Sequence, residues 1–391
     1  MHEQLFRLLV IAMISFLTLV DLFATQALLP ALAQSYGVKP AVIGPAVNAC
    51  TLGMALAGVA VAWFNQKLDR RLGVSICLFL LAVPTAALAL MPDLTTFAIL
   101  RIVQGVFMSA AFSLTIAYLA DNCTPEEAAG ALAAYIAGNV ASNLFGRLIS
   151  AAVASHFGLG SNFGFFAALN IAGACLAYVA LKRTPPMKGT VTGSSAAWAQ
   201  VFRRPELVSC FMIGFIILFS FIGTFTYVNF VLTDRIGISM MQLGLVYLVF
   251  LPAIVTTPLA GRTAKRFGAR NTVLAALATA SAGLPLLAAP HLLPMLVGLT
   301  LVGAGTFFAQ ATATGFASRT AGPNGGAAGG IYLAFYYAGG LFGSLMIGYA
   351  FDHAGWNAAL AVIGLAFFVA MALASRLTER AAFFNKAAIS N

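Results

Sequence analysis

The sequence predicts an all-α polytopic membrane protein with twelve transmembrane helices in two pseudo-symmetric six-helix bundles. Composition, repeated apolar segments and an internal duplication support this fold class. Of the 391 residues, 61% are hydrophobic and only 8% are charged, which is more apolar surface than a soluble chain keeps out of water. A transmembrane helix needs about 20 apolar residues, and the chain supplies such segments repeatedly. We therefore expect a lipid bilayer around this protein.

The apolar segments follow one another through short connections, and we number the predicted spans 1 to 12 in chain order. They cover residues 6–30, 41–64, 74–91, 95–119, 128–155, 162–181, 207–232, 240–261, 271–290, 292–317, 328–351 and 355–376. The first segment is too long for the apolar region of a cleaved signal peptide, about 7–15 residues. The longest connection, 182–206, is polar and basic and contains Pro, Gly and Ser. It predicts a cytoplasmic linker between an N-terminal bundle, 1–181, and a C-terminal bundle, 207–391.

The basic residues are distributed unequally between the two sides of the predicted membrane. With the N-terminus in the cytoplasm, seventeen of the 21 Lys and Arg lie on the inner side, two on the outer side and two within spans. The positive-inside rule then predicts that both termini are cytoplasmic. Seven of the eleven acidic residues also fall inside, so the inner side accounts for the net charge of +10. The basic balance is an orientation signal, and we expect no nucleic-acid partner.

Three motif pairs indicate that the two halves are related by duplication. Arg71-Leu72-Gly73 matches Arg266-Phe267-Gly268 at an offset of 195 residues, and Pro125 matches Pro323 at an offset of 198. Leu144-Phe145-Gly146-Arg147-Leu148 matches Leu341-Phe342-Gly343-Ser344-Leu345 at an offset of 197. All three offsets are about half the chain. Duplicated halves with a site between them are a common plan of secondary transporters.

Span 4 and the connections after spans 2 and 8 carry motifs of a known family. Arg101-Ile-Val-Gln104-Gly105 resembles the RxxQG motif of the major facilitator superfamily, and the resemblance covers essentially the whole chain. The connection after span 8 is similar to the family's GxxxDRxGRR loop, with Lys265 in place of Asp. The copy after span 2 departs more, because Asn65 replaces the first glycine and one extra residue separates Asp69 from Gly73. In the family this loop is thought to latch the halves in one state, which implies a conformational role for Asp69, Arg70, Gly73, Gly261, Lys265, Arg266 and Gly268.

Span 5 carries a pattern that is similar to one subgroup of this superfamily. Gly138-Asn139 followed by Gly146-Arg147 resembles the GN…GR pattern of bacterial drug:proton antiporters and sugar-efflux proteins, and span 7 is compatible with that subgroup. The GPxxGG signature associated with antiporters is not in the sequence, so the direction of transport stays open. The resemblance implies a monomeric secondary active transporter of the bacterial inner membrane, working by alternating access on a small molecule without a cofactor.

Three charged residues fall at similar depth inside the predicted spans. At 1.5 Å per residue, Asp21, Arg101 and Arg147 lie about 13, 12 and 13 Å from the outer ends of their spans. Charges in a span are costly and face a cavity or a partner. We expect Asp21 to pair with Arg101 or Arg147 when deprotonated, and protonation to break that pair. The alternative is a fixed structural ion pair. One Asp against two Arg leaves a charge of +1, which an anionic substrate group would balance.

Aromatic and amide side chains in both halves are candidates for a substrate pocket, since such pockets are mostly apolar with a few polar groups. The alternative is that these aromatic residues pack or face lipid. Phe307 and Tyr337 are among the further aromatic candidates. The predicted substrate-binding residues are Thr25, Gln26, Gln104, Asn139, Asn143, Phe219, Tyr227, Asn229, Phe308, Gln310 and Tyr336.

Several function classes have no support in the sequence. GxxxxGK[ST], which an ATP-driven pump needs, and HExxH are not found. His156, His291 and His353 are spread along the chain, so we expect no metal site. We predict proton-coupled efflux of small amphipathic or aromatic compounds. The alternative is an organic-anion or sugar transporter, working as an exchanger or uniporter through an Arg101/Arg147 positive site. A membrane enzyme or receptor is a remote third reading, because one carboxylate and two arginines are a poor catalytic set.

Overall fold

The computed structural model describes residues 2–64, 69–123, 125–183 and 195–377. In the N-terminal half these residues form helices His2–Gln26 (span 1), Leu29–Tyr36, Pro40–Asn48 and Cys50–Phe64 (span 2), Arg70–Leu88 (span 3), Leu94–Asn122 (span 4) and Pro125–Ala180 (spans 5 and 6). Part of the predicted linker, 184–194, lies outside the described residues. So do Asn65, Lys67 and Lys188, and the C-terminal residues 378–391 with Arg380 and Lys386.

The C-terminal half repeats this order of elements. It begins with a short helix, Ser195–Phe202, and continues with Pro205–Asp234 (span 7). Span 8 alternates between α-helix and 3-10 helix, as Met240–Val246, Tyr247–Phe250, Leu251–Thr256, Thr257–Leu259 and Ala260–Phe267. The remaining helices are Ala269–Leu287 (span 9), Leu292–Ala321 (span 10), the 3-10 turn Gly322–Asn324 and Gly325–Ala374 (spans 11 and 12).

Two glycines divide the longest helices into pairs of spans. Gly158, with φ 86°, separates span 5 from span 6, and Gly355, with φ 78°, separates span 11 from span 12. Such positive φ values favour glycine because a Cβ would clash with the backbone. Within the described residues nine helical segments are long and apolar enough to cross a membrane. Dividing two of them at these glycines gives eleven, and Ala269–Leu287 is the twelfth. The predicted fold class is confirmed.

Small residues let equivalent helices of the two halves approach closely. Span 5 lies against span 1 at Gly146, where an added Cβ would be 3.0 Å from a Val20 methyl group. Span 11 lies against span 7 at Gly343, where an added Cβ would be 2.2 Å from the Phe219 carbonyl oxygen. Small residues at helix interfaces are a general device of membrane proteins. The matched motifs in spans 5 and 11 therefore occupy matching positions in the packing.

Span 2 is interrupted near the middle of the membrane. Its first helix ends at Asn48, and its second helix starts at Cys50. Between them, the Ala49 N–H donates to the Ala46 carbonyl oxygen, three residues earlier, at 3.4 Å. Such a change of hydrogen-bond pattern leaves carbonyl oxygens that need other partners. The break therefore gives side chains of neighbouring spans access to the backbone of span 2.

The motif residues predicted to form loops are mostly helical, which corrects the predicted span ends. Asp69 caps span 3 by accepting from the Arg71 N–H (3.0 Å), and Arg70 and Gly73 lie in that helix. Span 3 starts earlier than predicted because its first turn is charged and the apolar pattern does not mark it.

The same correction applies after span 8. Gly261, Lys265 and Arg266 belong to helix Ala260–Phe267, and only Gly268, with φ 81°, makes the turn. This helix continues past the predicted end of span 8 because its basic residues stand in the last turn, where cations are stabilised by the helix dipole.

Candidate functional site

A small cavity lies between the two halves near mid-membrane. It leaves about 30 Å³ of free space, which is room for roughly two water molecules. Its lining is apolar and aromatic with two amides, and it consists of Leu19, Leu22, Phe23, Asn139, Leu218, Phe221, Phe307, Gln310, Tyr336 and Tyr337. The described lining therefore carries hydrogen-bonding groups but no charge. In the arrangement seen here the cavity is too small for an organic molecule.

Asp21 lies on the face of span 1 that is turned away from this cavity. At about 100° per residue, Leu19, Leu22 and Phe23 fall on one side of the helix and Asp21 on the other. Its carboxylate faces the Thr85 side chain in span 3 and the Asn170 side chain in span 6. Asp21 is buried, and its Oδ2 has no hydrogen-bond partner. The carboxylate thus sits inside the N-terminal bundle, separated from the cavity by the thickness of span 1.

Arg101 makes four hydrogen bonds, three of which join span 4 to spans 1 and 2. Its guanidinium donates to the main-chain oxygens of Val47 (2.8 Å) and Asp21 (3.2 Å). It also donates to Gln104 Oε1 (2.7 Å) and Cys50 Sγ (3.1 Å). Val47 and Cys50 lie on the two sides of the break in span 2. Arg101 therefore holds the broken backbone of span 2 against the helix that carries Asp21.

A chain of polar side chains connects Arg101 with the surroundings of the Asp21 carboxylate. Gln104 donates to Thr85 Oγ1 (2.7 Å), and Asn170 donates to the same oxygen (3.2 Å). All of these groups are buried. Buried polar groups of this kind act as a network, because each one fixes the position of the next.

The predicted side-chain ion pair with Asp21 is not formed in this structure. Between residues that the structure describes, the ion pairs join Arg7 to Glu127, Arg70 to Asp121 and Arg183 to Asp69, all near the predicted inner side. Arg101 contacts the main-chain oxygen of Asp21 instead of its carboxylate. Arg147 extends to the opposite face of span 1 and donates to Gln26 Oε1. The two arginines, predicted at a similar depth to Asp21, therefore contact different faces of span 1.

A second polar network joins the two halves on the predicted outer side of the cavity. Gln26 donates to Asn48 Oδ1 (2.7 Å), and Asn48 donates to Thr226 Oγ1 of span 7 (3.0 Å). Asn229 of span 7 donates to the Gln26 carbonyl oxygen (3.0 Å) and accepts from the Tyr247 hydroxyl. These bonds connect spans 1 and 2 with spans 7 and 8. They hold the two halves together at their predicted outer ends.

The sequence profile of the Major Facilitator Superfamily matches residues 11–251 and again residues 232–388. The chain belongs to the major facilitator superfamily. It is a membrane transporter of this type, in a family of transporters rather than enzymes. The two successive matches agree with the duplication seen in the motifs and in the packing.

Relatives of this major facilitator protein come from bacteria. It is 24% identical over 335 residues to the MFS-type transporter YybF of Bacillus subtilis (strain 168), covering 84% of this chain and 83% of the relative. It is 24% identical over 363 residues to the inner membrane transport protein YnfM of Escherichia coli (strain K12), covering 92% and 87%. These relatives support a multi-pass protein of the bacterial inner membrane.

A solved structure supports the same fold. The crystal structure of the human organic anion transporter MFSD10 (TETRAN) superposes with a TM-score of 0.70 at 19% identity, covering 94% of this chain and 99% of that protein. At this identity the likeness concerns the architecture of the major facilitator fold.

The predicted substrate residues of this transporter separate into three groups. Asn139, Gln310 and Tyr336 line the cavity. Gln26, Tyr227 and Asn229 join spans at the outer side, with the Tyr227 hydroxyl donating to the Ser344 carbonyl oxygen. The others lie away from the described lining: Thr25 bonds to the Asp21 carbonyl, Gln104 to Thr85, Phe219 stacks on Phe215, Phe308 packs against the core, and Asn143 is buried.

Five lining residues were not predicted, namely Leu19, Leu22, Phe23, Leu218 and Phe221. They are apolar residues in apolar spans, so composition does not distinguish them from neighbours that face lipid or the bundle interior. Their spacing along spans 1 and 7 is the one signal that marks a shared face.

Proposed function

We propose that this protein is a proton-coupled exporter of small amphipathic, aromatic-bearing compounds. In this proposal the bundles 1–181 and 207–391, joined by the linker 182–206, rock against each other around the central cavity. The protein works as a monomer with both termini in the cytoplasm. The observation that carries the proposal is the position of Asp21, whose helix lines the substrate cavity with one face and carries a buried carboxylate on the other.

Proton coupling requires that the charge of Asp21 changes the contact between the halves. When the carboxylate is charged, it attracts the Arg101 guanidinium, which in this structure bonds to the main chain of Asp21 and Val47. Movement of Arg101 toward the carboxylate releases the Val47 carbonyl at the break in span 2. The next residue, Asn48, bonds to Thr226 of the other half. A proton on Asp21 therefore acts, through Arg101 and span 2, on the outer interface.

The cavity lining supports the substrate class. Phe23, Phe221, Phe307 and Tyr336 offer ring surfaces from both halves, and Asn139 and Gln310 offer one amide from each half. Such a lining favours a compound with an aromatic body and a few hydrogen-bonding groups. It gives no reason to expect a sugar, because the described lining has few polar groups for several hydroxyls.

The experiment that tests this function is flux in proteoliposomes under an imposed pH gradient, for wild type and Asp21→Asn, with a panel of lipophilic cations and small aromatic carboxylates. We expect the gradient to drive flux in the wild type and to have no effect in the variant. Asp93→Asn is the matched control, since Asp93 is an exposed cap of span 4 and Asn also caps helices.

A normal gradient response of Asp21→Asn would overturn proton coupling through this residue. The second candidate would then apply, an exchanger or uniporter of organic anions. A specific observation favours that candidate: no carboxylate of the described residues pairs with Arg101 or Arg147.

A further inference from the structure

Arg147 is a buried guanidinium that lacks an anionic partner. It is fully buried in span 5, and only its Nη2 donates a hydrogen bond, to Gln26 Oε1. Its Nε and Nη1 have no acceptor. The ion pairs of the described residues do not include it. A charged group in this environment is destabilising unless its donors and its charge are satisfied. The site therefore favours any anion that reaches it.

A second unpartnered side chain lies next to this guanidinium. Asn143 is one helical turn earlier on span 5, so it shares a face with Arg147. Asn143 is also fully buried, and neither its Nδ2 nor its Oδ1 has a hydrogen-bond partner. Asn139, a further turn earlier, lines the central cavity. These three side chains form a polar stripe of about 12 Å that leads from the cavity to the guanidinium.

Aromatic rings from both halves surround Arg147. The Tyr247 ring centroid is 4.1 Å from its Cζ, and the rings of Phe23, Phe225 and Phe250 are between 5.3 and 5.6 Å away. Ring faces attract a cation but supply no net negative charge. They also exclude water, which strengthens an ionic contact made there. The rings therefore hold the guanidinium at the interface and leave its charge to be balanced by a ligand.

Arg101 differs from Arg147 in this respect. Its guanidinium already makes four hydrogen bonds inside the N-terminal bundle. On sequence grounds the two arginines are grouped as one positive site. Every guanidinium nitrogen of Arg101 has a hydrogen-bond partner in the N-terminal half, whereas two nitrogens of Arg147 have none and rings of both halves surround it.

We propose that the substrates are aromatic monocarboxylates, whose ring occupies the central cavity and whose carboxylate is bound by Arg147 and Asn143. This inference rests on the proposed export function and names the substrate class of that same cavity. A single guanidinium in an apolar surrounding balances one negative charge, which favours a carboxylate over a doubly charged phosphate ester. The ring lies against Phe221, Phe307 and Tyr336. Binding takes place when the halves have separated, because the closed cavity holds only water-sized molecules.

The test compares 2-naphthoate with 2-naphthamide, which has nearly the same shape and no charge. Equilibrium binding of both to purified full-length protein in nanodiscs gives an affinity ratio. We expect naphthoate to bind about 10- to 100-fold more tightly than naphthamide, the range of a hydrogen-bonded charge contact. Arg147→Gln removes this preference, and Asn143→Ala reduces it by about threefold to tenfold. Arg235→Gln, an exposed arginine beyond span 7, leaves the ratio unchanged.

Equal binding of the two probes to the wild type, or a preference that survives Arg147→Gln, overturns the inference. If Arg147→Gln fails to fold, Arg147→Lys and Asn143→Ala decide instead, since the lysine keeps the charge and is expected to keep most of the preference. Flux of both probes under a pH gradient separates this inference from the export proposal. Gradient-driven flux of naphthamide without a naphthoate preference leaves the exporter and removes the carboxylate subsite. A naphthoate preference without any gradient-driven flux leaves the carboxylate subsite and removes the proton-coupled exporter.

Discussion

In each half, one span packs closely on another at a glycine. These glycines, Gly105 of span 4 and Gly303 of span 10, are 198 positions apart. An added Cβ at Gly105 would be 1.8 Å from the Cys50 carbonyl oxygen of span 2, and one at Gly303 would be 3.0 Å from the Phe250 ring of span 8. The same pair of helices is therefore in close contact in each half. The helix packing of the major facilitator fold is set by small residues at matching places.

The residues around these glycines differ sharply in chemistry. Arg101 and Gln104 of the N-terminal half correspond, at the same offset, to Leu299 and Val302. Arg147 corresponds to Ser344, whose carbonyl accepts the Tyr227 hydroxyl. One half thus holds the buried charges, and the other contributes most of the rings around the cavity and around Arg147. A duplicated frame permits this division, because the glycines that fix the helix packing are present in both halves while the polar side chains beside them are present in only one.

The largest effect should come from removing Arg101. In Arg101→Ala we expect gradient-driven flux to fall about 100-fold or more, because the Val47 and Asp21 carbonyls lose a charged donor and the link from Asp21 to span 2 is lost. Leu299→Ala at the corresponding position should lower stability by about 2–5 kcal/mol but leave the gradient response per folded molecule intact.

Flux per folded protein in proteoliposomes tests the gradient response of both variants, and thermal unfolding in detergent tests the stability of Leu299→Ala. Near-normal flux in Arg101→Ala would remove that residue from the mechanism. Loss of the gradient response in a folded Leu299→Ala protein would show that coupling is not confined to the N-terminal half.

Gly138 of span 5 and Gly339 of span 11 do not correspond in the duplication, but they are packed equally tightly, so we expect similar penalties in the two halves. A Cβ at Gly138 would be 2.0 Å from the Ala12 carbonyl oxygen, and a Cβ at Gly339 would be 2.0 Å from the Phe215 carbonyl oxygen. Because backbone cannot yield as a side chain does, each Gly→Ala substitution should destabilise the protein by about 1–3 kcal/mol. The measurement is the unfolding midpoint of each variant in the same detergent.

The matched controls are Gly130→Ala and Gly329→Ala, which are helical glycines with no other atom within 4 Å of an added Cβ. Alanine favours helix over glycine by up to about 1 kcal/mol, so these variants should be as stable as the wild type or slightly more stable. A penalty in only one half would contradict the equivalence of the two packings.

The fold was predictable from the sequence because the bilayer imposes one length on every span. Segments of about 20 apolar residues are visible without knowledge of tertiary contacts, and the predicted boundary between spans 11 and 12 coincides with Gly355. Span ends were predictable only where the sequence changes from apolar to polar. The charged first turn at Arg70 and the basic last turn at Lys265 are helical, although their composition is that of a loop.

The sequence predicts a common depth for the charged residues of the candidate site, but it does not predict which neighbouring helix each side chain contacts. Residue counting placed Asp21, Arg101 and Arg147 at one level of the membrane. Helical spacing puts Asp21 and Gln26 on different faces of span 1, but residue counting could not show which of these faces meets the C-terminal half, because that depends on tertiary contacts. Asn139, a predicted substrate residue, lines the cavity, whereas Leu22 and Phe23 line it without having been predicted, because apolar residues in an apolar span do not stand out.

The smallest effects are expected from substitutions at the predicted inner ends of the two halves, where the two motif copies differ. Arg70 pairs with Asp121 at 3.1 Å, and the side chains are only 9% and 15% exposed. Lys265 is exposed on the last turn of span 8, and no ion pair of the described residues includes it. Arg70→Gln should therefore lower stability by about 1–3 kcal/mol, the cost of leaving a mostly buried carboxylate without its partner.

Lys265→Ala should change the rate of transport by less than about twofold, as is usual for exposed charges, and leave the naphthoate to naphthamide ratio unaltered. Initial rates for both probes and unfolding midpoints for both variants test this contrast. An altered substrate ratio in Lys265→Ala would place this residue at the substrate path and not at the inner contact between halves. A loss of stability equal to that of Arg70→Gln would mean that Lys265 has a buried acidic partner of its own. The two motif copies would then work alike despite the Lys that replaces the expected Asp, and the difference between the halves would be confined to the membrane interior.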